Sequence, residues 1–236
     1  MLAVAVMAMP AAASVQNIKV SGDIESTLLV RDQFDLGVDT SSTTRNVDQF
    51  YQNLMITQTR LRVDADLTDN VAATVGLINE RAWDAETSAT TDIDLNLAYV
   101  TLREMLYSPL TVTIGRQNFA YGNSFIIDSA GTNNTVSAGG LNGVAEDLTK
   151  RTALDAVRMV LDYNPLTIDV VAAKVDANTV LGAGHSHDDD VDLFGINANW
   201  NIGDELSTTV ESYFWAKIDQ SLKETGDGYK ADTVYT

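Results

Sequence analysis

In the stretch Arg60-Leu61-Arg62-Val63-Asp64-Ala65-Asp66, charged and apolar residues alternate without a break. Side chains of an extended chain point to opposite faces in turn, so both arginines and both aspartates share one face, while Leu61 and Val63 occupy the other. Arg158 and Asp162 repeat this order, a guanidinium first and a carboxylate four residues on, and Glu80 and Asp94 add carboxylates to the polar faces of two further alternating runs. A guanidinium is always charged and can hold a carboxylate through two parallel hydrogen bonds. Two kinds of chemistry follow. Arginines lining a passage attract anions and carboxylates favour cations, so a basic belt above an acidic zone filters by charge. Set against carboxylates of neighbouring strands, the same arginines are neutralised and brace a wall. The sequence leaves both open.

Catalysis fits the chain poorly. A covalent or general-base mechanism needs a nucleophile with a positioned base. The two histidines lie together in His185-Ser186-His187-Asp188-Asp189-Asp190, and no serine stands in a nucleophile-elbow pattern, so the expectation is not an enzyme, with a hydrolytic barrel the weaker rival. That acidic segment has oxygen and imidazole donors that could take Ca²⁺ or Zn²⁺, but a solvated loop tip accounts for it, and neither a metal nor another cofactor is expected. Asn133-Asn134-Thr135 matches a glycosylation sequon, which is discounted. A formal net charge of −18 argues strongly against nucleic acid, whose phosphates would need a basic surface. Cysteine is absent, which suits a chain crossing an oxidising compartment without disulfides.

The elements that must position these residues repeat every second residue. Ile18, Val20, Ile24, Leu28 and Val30 alternate with Lys19, Ser21, Asp23, Glu25 and Arg31 over a run longer than the roughly 5–6 residues of most globular strands and sufficient for the about 9–11 that cross a bilayer. Further strands are expected at 51–67, 71–82, 92–104, 110–121, 153–163, 166–175, 191–201 and 206–218. Connections at Thr68-Asp69-Asn70, Ser108-Pro109, Asn164-Pro165 and Gly203-Asp204 are tight, whereas 32–50, 83–91, 122–152, 176–190 and the stretch after 219 are long and polar. Short turns alternating with long loops are the mark of a meander crossing a membrane.

Parity then assigns an outward, lipid-facing set: Met55, Leu61, Val63 and Leu67; Val71, Ala73, Val75 and Leu77; Ile93, Leu95, Leu97 and Tyr99; Val157, Met159, Leu161 and Tyr163; Phe194, Ile196, Ala198 and Trp200. Tyr163 and Trp200 end their strands where an aromatic girdle belongs. Continued parity would send Arg116 outward, so a bulge at Gly115 is expected to turn Arg116 and Asn118 inward and Phe119 and Tyr121 outward. The inward, pore-lining set is thus Arg60, Arg62, Arg116, Arg158, Asp64, Asp66, Glu80, Asp94 and Asp162. The long 122–152 segment either folds into the lumen or lies outside.

Met1 to Ala13, apolar and closed by Ala11-Ala12-Ala13, resembles the end of a secretory signal peptide, leaving 14–236 as a single domain. Nine strands are odd where single-chain bacterial barrels close with an even number. The expectation is therefore the N-terminal part of a larger barrel.

Leu110-Thr111-Val112-Thr113-Ile114 runs into Gly115-Arg116-Gln117-Asn118-Phe119-Ala120-Tyr121-Gly122, and after the long segment comes Leu154-Asp155-Ala156-Val157-Arg158. A strand with Gly-Arg-Gln, an aromatic-Gly pair, a long loop and a strand with Asp-Ala-Val-Arg resembles the core of alginate-export-type outer-membrane porins of Gram-negative bacteria. The resemblance implies a passive channel of about 18 strands whose lumen arginines line an anion-attracting path. The combined expectation is an all-β, antiparallel up-and-down transmembrane β-barrel in the outer membrane, contacting its lipid and transporting small or anionic polar solutes. Its alternative is a soluble or surface-exposed β-rich binding protein. Substrate and oligomeric state are not legible.

Overall fold

A computed structural model of the chain describes residues 17–32, 51–83, 93–128, 148–151, 153–176, 191–219 and 232–236. The expectations for 1–13, for the His185–Asp190 segment and for the Asn133 sequon lie outside these residues. The described residues are all β apart from turns and short irregular segments. One antiparallel sheet runs in strict chain order: β1 (Asn17–Asp32), β2 (Tyr51–Thr68), β3 (Val71–Ala82), β4 (Asp94–Arg103), β5 (Leu110–Gln117), β6 (Leu154–Asp162), β7 (Leu166–Asp176), β8 (Val191–Asn201), β9 (Thr209–Asp219) and β10 (Asp232–Tyr235). The up-and-down meander is as the alternation predicts. The tenth strand was not foreseen, because its four residues are too few to carry a period. Among the described residues β1 and β10 each have one neighbour, so the sheet is not closed.

Two faces follow from the register. On one, cross-strand partners build apolar rungs: Ile114, Val157, Ala172 and Phe194 lie side by side, and beneath them Val112, Met159, Val170 and Ile196. Most of the large residues on this face are exposed, with Ile24 at 74%, Phe194 at 45% and Trp200 at 54%. The other face carries the charged and amide side chains together with a small apolar cluster, and segments flanking the β5–β6 connection lie against it. We call these the outer and inner faces.

Three assignments are corrected. First, Leu97 and Tyr99 are inner, not outer. The register shifts by one residue between Gly76↔Leu97 and Leu77↔Leu95. The extra residue, Asn96, flips parity, so Ile93 and Leu95 remain exposed outside while Leu97 is buried over Gly76. A Cβ at Gly76 would stand 2.9 Å from that of Leu97. Second, no register shift accompanies Gly115. Its backbone adopts φ 121°, and a Cβ there would meet the Ala98 carbonyl oxygen at 2.2 Å. Glycine thus serves a close strand approach, and parity continues through it. Third, Arg116 is therefore outer, while Phe119 and Tyr121, beyond the end of β5, turn onto the inner face and are buried.

Candidate functional site

Arg60 and Arg62 project from β2 onto the inner face as expected, each already engaged. Arg60 donates through Nε and Nη2 to Asp23 of β1, the shorter bond 2.9 Å. Arg62 forms the same kind of fork with Asp64, its neighbour two residues along the strand, and its Nη2 also donates to the Tyr99 hydroxyl at 3.2 Å. Asp64 in turn accepts from the Thr74 hydroxyl at 2.7 Å. Arg158 donates to Asp169 of β7 at 2.7 Å and lies 5.6 Å from the centroid of the Tyr121 ring. Arg116 does not join them. It pairs with Asp155, its direct partner on β6, on the face of Val157 and Met159.

Each of the four guanidiniums therefore holds one carboxylate, the bracing arrangement rather than a belt of unopposed charge. Asp64 is the one partner anticipated. Asp162 instead accepts the Asn164 N–H at 3.1 Å and closes the β6–β7 turn. Asp66 stands half-buried opposite Asn17 near the same end of the sheet.

Glu80 and Asp94 have a different role. Glu80, 1% exposed, accepts from Gln58 Nε2, from the Thr149 hydroxyl and from the Lys150 N–H, each at 2.7 Å, and faces Arg151 at 3.2 Å. Asp94 completes the cluster by pairing with Arg151 Nη2 at 2.5 Å. Gln58 further donates to the Leu148 carbonyl at 2.8 Å, and Leu148 packs against Ile56, Leu29 and Leu54. Glu80 thus lies on the inner face, beneath 148–151.

The segment leading out of β5 is fastened to the opposite half of the sheet. Phe119 and Tyr121 pack with Leu154, Val171, Leu193 and Trp215. The Tyr121 and Trp215 ring centroids are 5.0 Å apart, and the Tyr121 hydroxyl donates to Asp169 at 3.4 Å. Trp215 fits because Gly195 stands opposite it: a Cβ there would fall 1.9 Å from the indole ring. So the connection leaves β5 over β6–β9 and returns over β1–β4, with both described ends on the inner face.

Between the returning segment and β1–β4 lies a cavity of about 760 Å³. Asp23, Arg60, Arg62, Asn96, Asn118 and Lys150 contribute its polar edges and Leu97 an apolar floor. Such a surface can hydrogen-bond a polar solute from several sides. Among the described residues no group of three His, Asp or Glu side chains converges to hold a metal.

Reasoning from sequence missed Arg151, Asp169 and Trp215, and set Tyr121 on the wrong face. For Asp169 a signal existed: one carboxylate in the apolar run Leu166 to Val171 needs a buried partner. Arg151 sits in an irregular segment where parity says nothing. No family model matches the chain, and no curated protein matches it.

Proposed function

We propose that this chain forms part of the wall of an outer-membrane channel through which small polar solutes diffuse. One observation carries the reading: long antiparallel strands expose apolar rungs on one face and turn charged, hydrogen-bonded side chains and an inward-laid connection to the other. Water disfavours the first face, since a monomeric soluble protein seldom exposes a contiguous apolar patch beyond a few hundred Å². Lipid suits it, provided the backbone groups are paired between strands. The Gly115–Gly122 and Leu154–Arg158 resemblance to alginate-export-type porins supports the same reading.

Selectivity follows from the pairing. A guanidinium bound to a carboxylate presents a dipole whose field falls off faster than that of a lone charge, so the braced wall favours modest anion preference. Arg60 and Arg62 keep their side chains 43% and 44% exposed, leaving guanidinium edges that an acidic solute can reach. The experiment is planar-bilayer conductance under a salt gradient. Discrete conductance steps are expected, and replacing Arg60 and Arg62 by glutamine should shift the reversal potential towards cations by only a few millivolts. Absence of steps rejects the channel. The competing reading, a soluble β-rich binding protein, requires a monodisperse species without detergent.

A further inference from the structure

The wall beneath the returning segment pairs its charges and still keeps donors in hand. On the inner face the register sets Ser21, Arg62, Gly76 and Leu97 in one row and Asp23 beside Arg60 in the next. Arg60 commits Nε and Nη2 to Asp23, and Arg62 commits the same two atoms to Asp64 and Tyr99. Nη1 of each guanidinium, a donor still unused, has no acceptor among the described residues. In the roof of the cavity Lys150 stands 3.8 Å from Glu25, beyond a good hydrogen bond. Asp23, Glu25, Arg60, Arg62 and Lys150 keep side chains between 39% and 49% exposed, so a solute in the cavity can reach every one of them.

Charged ligands fit this wall badly. A solute carboxylate that accepts from Nη1 comes up against Asp23 or Asp64 on the same guanidinium, and a solute ammonium that reaches Asp23 or Glu25 comes up against Arg60 or Lys150. A hydroxyl meets no such conflict, because it accepts from Nη1 and donates to the neighbouring carboxylate without separating the pair. Resting on the channel reading above, we propose that this cavity is a binding site for a neutral polyhydroxylated solute, a sugar or polyol. Adjacent hydroxyls engage Asp23–Arg60 and Glu25–Lys150, and the C–H face lies on Leu97. The volume of about 760 Å³ falls within the roughly 300–1,000 Å³ of small-molecule sites.

The test is a saturation-transfer NMR titration of the full chain in detergent micelles, with glucose, glucuronate and glucosamine as neutral, anionic and cationic probes of one ring shape. Planar-bilayer conductance of the same preparation runs beside it. Glucose should bind saturably with a Kd in roughly the millimolar range, tighter than either charged ring by roughly threefold. D23A/R60A should weaken glucose binding roughly tenfold, the scale of one or two lost charge-assisted hydrogen bonds. The exchanged pair D23R/R60D presents the same donor and acceptor and should stay within about threefold of the unaltered chain; circular dichroism checks that both variants keep their strands. Tighter binding of glucuronate, an unchanged glucose affinity in D23A/R60A, or loss of binding in a folded D23R/R60D overturns the proposal. Discrete conductance steps from a chain that binds no glucose overturn it too, and leave the channel reading standing. Saturable glucose binding without conductance steps keeps the site and overturns the channel reading.

Discussion

Removing the Glu80 carboxylate should free the connection between β5 and β6 from the inner face. In Glu80→Ala the Gln58 amide, the Thr149 hydroxyl and the Lys150 N–H lose a common acceptor, and Arg151, itself 6% exposed, is left with Asp94 alone. Removing one member of a buried ion pair costs about 3–5 kcal/mol, and most of that falls on docking of 148–151, because the strands beneath keep their ladders. The docked population should drop by roughly two to three orders of magnitude relative to the undocked one. Hydrogen exchange at Lys150 and Arg151 reads this directly. Limited proteolysis near the same residues gives a second readout, and channel conductance should rise if the connection narrows the path. Glu80→Gln, which keeps one acceptor and the shape, should lie between. Replacing both partners (E80L/R151M) should restore much of the protection, since an apolar pair leaves no buried charge unmatched. Unchanged exchange rates in Glu80→Ala would refute the reasoning, because a carboxylate with these partners cannot be lost without effect if it holds the segment.

Two other outcomes follow from local geometry. Gly195→Ala should destabilise the β8–β9 region by about 1–3 kcal/mol, because the new methyl must displace the Trp215 ring; thermal unfolding followed by tryptophan fluorescence measures it, and an unshifted midpoint would show that the indole moves freely. In the β8–β9 turn, the Thr208 hydroxyl and N–H each donate to Asp204 at 2.6 Å and hold its carboxyl below the usual aspartate value. A depressed folded-state pKa contributes stability that is present above the unfolded value and lost as pH falls through the folded one. Carboxyl NMR should therefore find Asp204 titrating below ordinary aspartates, and Thr208→Ala should move it back up.

Strand positions were legible because a two-residue period repeated over eight or more residues is a redundant signal. Val157, Met159, Phe194, Ile196 and Trp200 all fall on the outer face as parity requires. Parity fails wherever one residue is inserted, and it carries no mark of where that happens. Asn96 reversed Leu97 and Tyr99 without any glycine or proline beside it, while Gly115, which looked like a bulge, answers instead to the Ala98 carbonyl pressed against it. The inward-facing charges were legible by type, their partners were not. Asp23, on the neighbouring strand and 37 positions earlier in the sequence, holds Arg60, and Arg151 reaches Glu80 across 71 positions of sequence from a segment with no period. Such pairings are products of register and loop path, which no local pattern encodes.

The central claim is that the outer face meets hydrocarbon and the inner face water. Because the chain has no cysteine, single cysteines can be introduced along β2 and β8 and carry nitroxide labels in the reconstituted protein. Collision rates with oxygen, which concentrates in lipid, and with a polar nickel chelate, which stays in water, then report each position's surroundings. The account predicts oxygen access at Leu61, Val63, Phe194 and Ile196 and nickel access at Arg60 and Arg62, alternating residue by residue. Nickel access at both parities would mean that water bathes both faces, and would contradict it.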